Sequence, residues 1–189
     1  DTEVVQVVFP EGSTALQIAN LLEENEVCTA QAFLDELNNG DYTNYEEVSA
    51  LDGTGRYYKL EGYLFPDTYD FYKGEELDSV VGKFLHNFQR KMDDKLREKV
   101  ASSGMTMDQV VILASIIQAE AASTSDMFNV SAVLHNRMEF GAEHGIMNLE
   151  CDSTSFYPYK NGKEMEELGN TLSHGAYDTY TFSGLPAGA

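Results

Sequence analysis

One carboxylate near the end of an apolar segment is the strongest candidate for chemistry in this sequence. Residues 106–125 read TMDQVVILASIIQAEAASTS, and Glu120 is the one acidic residue after the first turn of this segment. Because Thr106 and Gln109 have the spacing of a capping box, a helix is predicted to begin there. Almost all residues from 110 to 122 are apolar, a pattern typical of a buried central helix.

A buried Glu120 would be suited to acid catalysis. Helical spacing places Ile116 and Ile117 one turn before it and Leu113 two turns before it. Apolar surroundings disfavour the charged form of a carboxyl group and raise its pKa, which suits a general acid near pH 7. Two structural interpretations stay open: Glu120 faces solvent at a frayed helix end, or it pairs with Arg137.

Composition excludes several function classes. The chain has 189 residues and a net charge of −20, so it offers no broad basic face for nucleic acid or an anionic membrane. It contains no apolar run of about 18 residues, the length expected for a membrane-spanning helix. The sequence begins at Asp1 without a signal-type segment, which we interpret as a processed or trimmed product lacking its targeting segment.

The chain contains few groups suited to disulfides or metals. Cys28 and Cys151 lack C-x-x-C spacing and are predicted to be two buried thiols, with one disulfide as the alternative. A metal site built on Cys151 and Asp152 would need histidines from His135, His144 and His174. Their spacing matches no zinc pattern, so no metal and no cofactor are predicted.

Hydrophobic periodicity predicts a mixed protein with many helices. The elements are a strand at residues 4–9, helices beginning after Thr14 and Thr29, a connector at 41–55, a long amphipathic helix at about 75–100, the central helix, and a helix capped by Ser123 or Asp126 and ending at Gly141. An antiparallel pair of the last two helices would bring Asn136 and Arg137 near Glu120. Residues 141–189 are predicted to form long loops with short strands.

Residues 57–72 are unusually aromatic and read YYKLEGYLFPDTYDFY. This segment is predicted to form a strand pair or an aromatic-rimmed loop. Sugars stack on aromatic faces, but such residues also commonly form the core of a β-sheet. Both interpretations stay open.

Six segments together resemble the YceG/MltG family of endolytic murein transglycosylases. In family order they are PEGST with IANLLEENEV, LEGYLFPDTY, LASIIQAEA, SAVLHNRMEFG, LECDSTSFY and YDTYTFSGLP. The resemblance implies an α+β fold with a small LysM-like strand, helix, helix, strand module and connector at residues 1–56. A mixed α/β catalytic domain at residues 57–189 would follow, with the catalytic glutamate on a central buried helix.

The same resemblance implies an activity. Glu120, in LASIIQAEA, would cleave the bond between N-acetylmuramic acid and N-acetylglucosamine without water, leaving 1,6-anhydro ends and limiting the length of nascent glycan strands. Peptidoglycan would be the substrate and cell-wall synthesis proteins possible partners, at the outer face of a bacterial cytoplasmic membrane. The family normally has an N-terminal membrane anchor, which we expect to be missing from the sequence given. The expected substrate-binding residues are Tyr63, Ser115, Asn136, Asp152, Thr154, Tyr177 and Tyr180, and each is also interpretable as structural.

The sequence departs from the family pattern at several positions. The usual aspartate, proline, threonine triplet is Asp152-Ser153-Thr154, and the usual asparagine of the tyrosine motif is Asp178. Gln118 takes the first of two positions that are acidic in many relatives. The ending GLPPGP is GLPAGA, after which relatives continue, so the catalytic domain is expected to be incomplete at its C-terminus.

Two other function classes are considered. A non-catalytic glycan-binding module would use the LysM-like region and aromatic clefts, with Glu120 as a structural residue. A pyridoxal-phosphate lyase would need a Schiff-base lysine in a phosphate-binding fold. No lysine lies between Lys99 and Lys160, so the sequence does not support that activity.

Overall fold

The structure is a computed structural model that describes residues 3–169 and 175–189. The described chain packs as two compact units, one formed by the residues up to 53 with 57–108, the other by 54–56 with the residues from 109 onward. These boundaries differ from the functional division expected after residue 56, and compactness alone does not test that division. The fold is mixed α+β, as predicted.

The secondary structure elements are as follows, in chain order. They are β1 (Val4–Val8), α1 (Ala15–Glu24), α2 (Ala30–Asn39), α3 (Glu46–Ser49), β2 (Thr68–Tyr72), α4 (Leu77–Lys91), α5 (Asp94–Ser103), α6 (Met107–Glu120), α7 (Thr124–Phe140), a 3-10 helix (Gly141–His144), α8 (Asp152–Phe156) and α9 (Gly162–Glu167).

The first unit contains a two-stranded antiparallel sheet. Val4 in β1 pairs with Tyr72 in β2, and Val8 pairs with Thr68. The order strand, helix, helix, strand is therefore present, but residues 41–67 lie between α2 and the second strand. The aromatic segment supplies one strand, β2, instead of a strand pair, and this strand lies beyond residue 56.

The core of the first unit is aromatic. The ring of Phe84 in α4 packs 5.0 Å from the ring of Phe9 and 4.6 Å from that of Tyr69, measured between centroids. Phe33 and Phe71 are also buried against the same ring. Burial of such large side chains is a main source of folding free energy. Most of the aromatic residues of β2 therefore serve the core.

The helix caps predicted at Thr14, Thr29 and Ser123 are confirmed. The hydroxyl of Thr14 accepts from the backbone N of Gln17, and the side chain of Gln17 accepts in return, so both halves of a capping box are present. The side chains of Thr29 and Ser123 cap α2 and α7 by accepting from the backbone N of Ala32 and of Asp126, without the reciprocal bond of a capping box. Gly141 is the C-cap of α7, as predicted.

Two helix predictions are wrong. The long helix expected at residues 75–100 is two helices, because the side chain of Asp93 accepts from the backbone N of Leu96 and starts α5. The central helix α6 is buried on one face only. Val111, Ile112, Leu113 and Ile116 are buried, whereas Ala114, Ala119 and Glu120 are exposed. Small apolar residues are tolerated on a solvated face, so an apolar run does not require burial on every side.

Within the described part of the chain, no single helix is long and apolar enough to cross a membrane. The consecutive helices α5 and α6, bent where they meet, pass the same criteria of length and composition together.

A buried carboxylate holds the start of α1. Glu61 is 7% exposed, and its two oxygens lie 3.0 and 2.8 Å from the backbone N of Ala15, the first residue of the helix. The N–H groups of a first helical turn have no partner within the helix and attract negative charge. Glu61 therefore connects the segment before β2 to α1.

We expect Glu61→Ala to destabilise the protein by about 2–3 kcal/mol, because it leaves a buried N–H without its acceptor and opens a cavity. Glu61→Gln keeps an acceptor oxygen and should cost less. Urea denaturation measures both, with the exposed Glu11→Ala as a control expected to change stability by less than about 0.5 kcal/mol. Equal midpoints for Glu61→Ala and Glu11→Ala would contradict this role of Glu61.

Candidate active site

Glu120 is the last residue of α6 and is exposed. The predicted burial of this carboxylate is therefore wrong, because the buried face of α6 does not extend to its final turn. The side chain is nevertheless held in place. Its Oε1 accepts a hydrogen bond of 2.9 Å from the backbone N of Ser153, near the start of α8. One carboxylate oxygen is thus bound to the protein, and Oε2 has no hydrogen bond with the described residues.

A buried network of hydroxyl groups holds the segment that supplies this N–H. The hydroxyl of Thr154 donates to the backbone O of Cys151 at 2.7 Å and lies 2.9 Å from the hydroxyl of Thr179. Thr154 has one hydroxyl proton, so the Thr179 hydroxyl must be the donor of the second bond. Thr179 in turn accepts from the backbone N of Cys151 at 2.9 Å.

The same two chain segments are connected at a third point. Asp178 is 3% exposed, and its Oδ1 accepts from the hydroxyl of Ser155 at 3.0 Å and from the backbone N of Tyr180 at 3.1 Å. Residues 151–155 and 178–180 are therefore bound to each other through side chains. Thr154 and Thr179 are buried. If one of these hydrogen bonds is lost, water cannot replace the missing partner, and a buried polar group is left unsatisfied.

Asp152 and Tyr180 form an exposed hydrogen-bonded pair at the start of α8. The phenol of Tyr180 donates to Oδ1 of Asp152 at 2.6 Å, and this hydrogen bond raises the pKa of Tyr180 to about 12. The backbone N of Ser153, which donates to Glu120, is bonded to the carbonyl carbon of Asp152, so the backbone of Asp152 lies next to the Glu120 carboxylate. The site therefore presents two carboxylates and a protonated phenol to solvent.

The pKa of Cys151 depends on the charges around the site. Burial, and after it the negative charge of Glu120, raise the pKa of the thiol to about 11, while the positive charge of Arg137 lowers it. Cys28 and Cys151 are both free thiols, in agreement with the prediction, although Cys28 is only half-buried. Of the two structural interpretations of Glu120, exposure at the helix end is observed and pairing with Arg137 is not. The guanidinium of Arg137 donates instead to the backbone O of Leu149.

Three expected substrate-binding side chains are engaged within the fold. Ser115 donates to the backbone O of Ile112, one turn earlier in α6. Tyr177 is buried and stacks on Tyr157 with ring centroids 4.4 Å apart. Tyr63 is fully buried in the first unit, where its hydroxyl donates to Asp108 at 2.9 Å. In this structure Tyr63 has no face available to a sugar.

Asn136 is exposed on α7, and its side chain makes no hydrogen bond with the described residues. Its expected approach to Glu120 stays a prediction.

The described residues contain no group of three or more His, Cys, Asp or Glu side chains that could hold a metal ion. His174, considered for such a site, lies outside the described residues.

Ser153 and Thr179 were not identified from the sequence as site residues. Ser153 contributes through its backbone, which leaves no signal in residue type. Thr179 lies between Asp178 and Tyr180, and its contacts with residues 151 and 154 are distant in sequence. The signals that pointed to these two segments were the run of hydroxyl residues 153–155 and the motifs LECDSTSFY and YDTYTFSGLP.

Comparison with known proteins gives consistent matches. A family model described as the YceG-like family matches residues 1–189. An endolytic murein transglycosylase of Streptococcus pneumoniae (serotype 2) is 27% identical over 145 residues, which are 70% of this chain and 26% of that protein. An endolytic murein transglycosylase of Bacillus subtilis is 22% identical over 190 residues, which are 97% of this chain and 51% of that protein.

The chain therefore spans about a quarter and about half the length of these two relatives. Among solved structures, a YceG-like protein of Listeria monocytogenes superposes with a TM-score of 0.75 at 23% identity. The match covers 97% of this chain and 62% of that one. At this level of identity the likeness shows a shared fold.

We expect Thr179→Val to destabilise the protein by about 2–3 kcal/mol, because it leaves the buried N of Cys151 and the hydroxyl of Thr154 each without one partner. Thr181→Val is a matched control, since the exposed Thr181 donates only to the backbone O of Asp178. It should cost less than about 1 kcal/mol. Urea denaturation distinguishes the two, and equal losses would contradict the importance of the buried network.

Both thiols should react slowly in the folded protein, since burial raises the pKa of each to about 11. At pH 8 the thiolate population should be roughly a hundredfold lower than in the unfolded chain. Glu120→Gln should lower the pKa of Cys151 and accelerate its alkylation, leaving Cys28 unchanged as an internal control. Peptide mass spectrometry after timed iodoacetamide treatment measures both rates. Unchanged alkylation of Cys151 would show that Glu120 lies outside its electrostatic range.

Proposed function

The chain belongs to the YceG-like family, and we propose that it is a lytic transglycosylase that cuts peptidoglycan within its glycan strands. Two relatives carry the name endolytic murein transglycosylase. The observation that carries the proposal is the position of Glu120, an exposed carboxylate with one oxygen bound to the protein and the other available.

A single carboxylate is sufficient for this reaction. Most glycosidases need two, one to protonate the leaving group and one to activate water or attack the sugar. In the proposed reaction Glu120 protonates the glycosidic oxygen that leaves N-acetylmuramic acid. The resulting carboxylate then accepts the proton of the muramic C6 hydroxyl as its oxygen bonds to C1. The product has a 1,6-anhydro end, and no water is consumed.

Exposed groups beside Glu120 are proposed to bind the sugar. Tyr180 is about half exposed and offers both an aromatic face and a phenol, while Asp152 can accept from sugar hydroxyls. Asn136 is proposed to contribute from α7. Ser115, Thr154 and Tyr177 are proposed to act indirectly, because their side chains are engaged in contacts that hold α6 and the loops of the site.

The first unit is proposed to include a LysM-like glycan-binding module. The support is the order β1, α1, α2, β2 with antiparallel pairing of the two strands. In this arrangement the module extends to Tyr72 and not only to residue 56, with residues 41–67 as an insertion. The proposed location is the outer face of the bacterial cytoplasmic membrane, where peptidoglycan and cell-wall synthesis proteins would be its partners.

Mass spectrometry of the products tests the activity. Purified glycan strands are incubated with the chain, with Glu120→Gln and with Glu98→Gln, which replaces an exposed glutamate of α5. We expect anhydro-muramic ends from the wild type and Glu98→Gln. Glu120→Gln should be at least about a hundredfold slower, because it cannot exchange the proton.

Each other result would reject part of the proposal. Reducing ends in place of anhydro ends would identify a hydrolase and direct attention to Asp152 as a second carboxylate. Absence of cleavage by all three proteins, with glycan strands still retained on the immobilised chain, would identify a non-catalytic binding module.

A further inference from the structure

We propose that the backbone N–H of Ser153 determines which oxygen of Glu120 transfers the proton. This inference rests on the proposed function and adds a positioning residue that the sequence did not predict. Its starting point is the 2.9 Å hydrogen bond from the N of Ser153 to Oε1 of Glu120. No other described donor contacts either oxygen of this carboxylate.

The hydrogen bond assigns different roles to the two oxygens. A protonated carboxyl group has one O–H, and an oxygen that accepts from an N–H acts as the carbonyl-type oxygen. The acidic proton is therefore held on Oε2. In the first step this proton moves to the leaving glycosidic oxygen as the bond from that oxygen to C1 breaks. In the second step the proton of the C6 hydroxyl returns to Oε2 as the new bond to C1 forms.

The same bond limits the motion of a side chain that nothing else restrains. Glu120 is exposed at the end of a helix, where a long side chain would otherwise sample several rotamers. The N–H of Ser153 can orient Glu120 only because the chain segment that carries it is itself held in place. The next residue, Thr154, is hydrogen-bonded to Cys151 and Thr179 in the buried network.

Ser153 acts through its backbone and not through its hydroxyl. Its Oγ is buried and has no hydrogen-bond partner among the described residues, so the side chain contributes no polar contact to Glu120. A side-chain substitution therefore does not remove the proposed interaction. The test must change the backbone atom itself.

The position of Cys151 makes such a change practicable. A synthetic segment 151–189 begins with cysteine and can be joined to residues 1–150 by native chemical ligation. Two chains are assembled in this way. One carries Ser153→Ala with a normal peptide bond, and the other carries L-lactic acid at position 153, which replaces only the N–H by an ester oxygen. Thermal unfolding of both chains verifies that each is folded.

We expect the ester chain to have a kcat about tenfold to a hundredfold below that of the amide chain, with KM unchanged, because the N–H orients Glu120 and does not contact the substrate. Equal kcat values would overturn the inference while leaving the proposed function intact. Inactivity of the wild-type chain, in contrast, would count against the proposed function itself.

A spectroscopic measurement tests the hydrogen bond without reference to activity. With ¹⁵N in positions 153 and 181, the amide proton of Ser153 should move downfield as Glu120 ionises, since a carboxylate is a stronger acceptor than a carboxylic acid. The shift should disappear in Glu120→Gln. The N–H of Thr181, which donates to the backbone O of Asp178 at 3.0 Å, is the control and should not depend on Glu120. A Ser153 amide that is unaffected by Glu120→Gln would also overturn the inference.

Discussion

The buried hydrogen bonds among Thr154, Thr179 and Cys151 are the interaction on which the candidate site depends. They connect the start of α8 to a loop segment about 25 residues later, and the described residues of this region include no strand. A buried hydroxyl without a partner costs more than a normal hydrogen bond contributes, so such a network is stable only when it is complete. The complete network holds the start of α8 in place, and with it the N–H of Ser153, from which Glu120 accepts a hydrogen bond.

The exposure of Glu120 changes how the proposed chemistry would be achieved. A buried carboxyl group is prepared for acid catalysis by the protein alone, through loss of water. An exposed one relies on the bound substrate to exclude water from the site. Under the proposed function the glycan strand would cover the carboxylate, and the protein would contribute orientation through Ser153 and neighbouring polar groups through Asp152 and Tyr180.

In the first unit the controlling constraint is the pairing of strands distant in sequence. β1 and β2 are separated by about 60 residues, and their pairing encloses an aromatic core around Phe84. Tyr69 and Phe71 of the aromatic segment are used in this way, whereas Tyr57 and Tyr72 are exposed. Tyr63 illustrates the outcome, because its ring is buried and its hydroxyl is satisfied by Asp108.

Local sequence determined the features that depend on neighbouring residues. The caps at Thr14, Thr29 and Ser123, the end of α7 and the choice of Glu120 all follow from patterns within a few positions, since a cap needs only a side chain and an N–H three residues away. Asp93 offered the same kind of signal, but the continuous apolar stripe around it concealed the break between α4 and α5.

Tertiary structure alone decided which side chains are exposed and which distant groups meet. The burial of Tyr63 and Tyr177, the exposure of Glu120 and the bond from Ser153 depend on contacts between residues many positions apart. The backbone N–H is common to nearly all residues, so no residue type could indicate that the one at Ser153 contacts a carboxylate. The sequence by itself therefore selected Glu120 as the candidate reactive group, and the folded chain decided how its side chain is held.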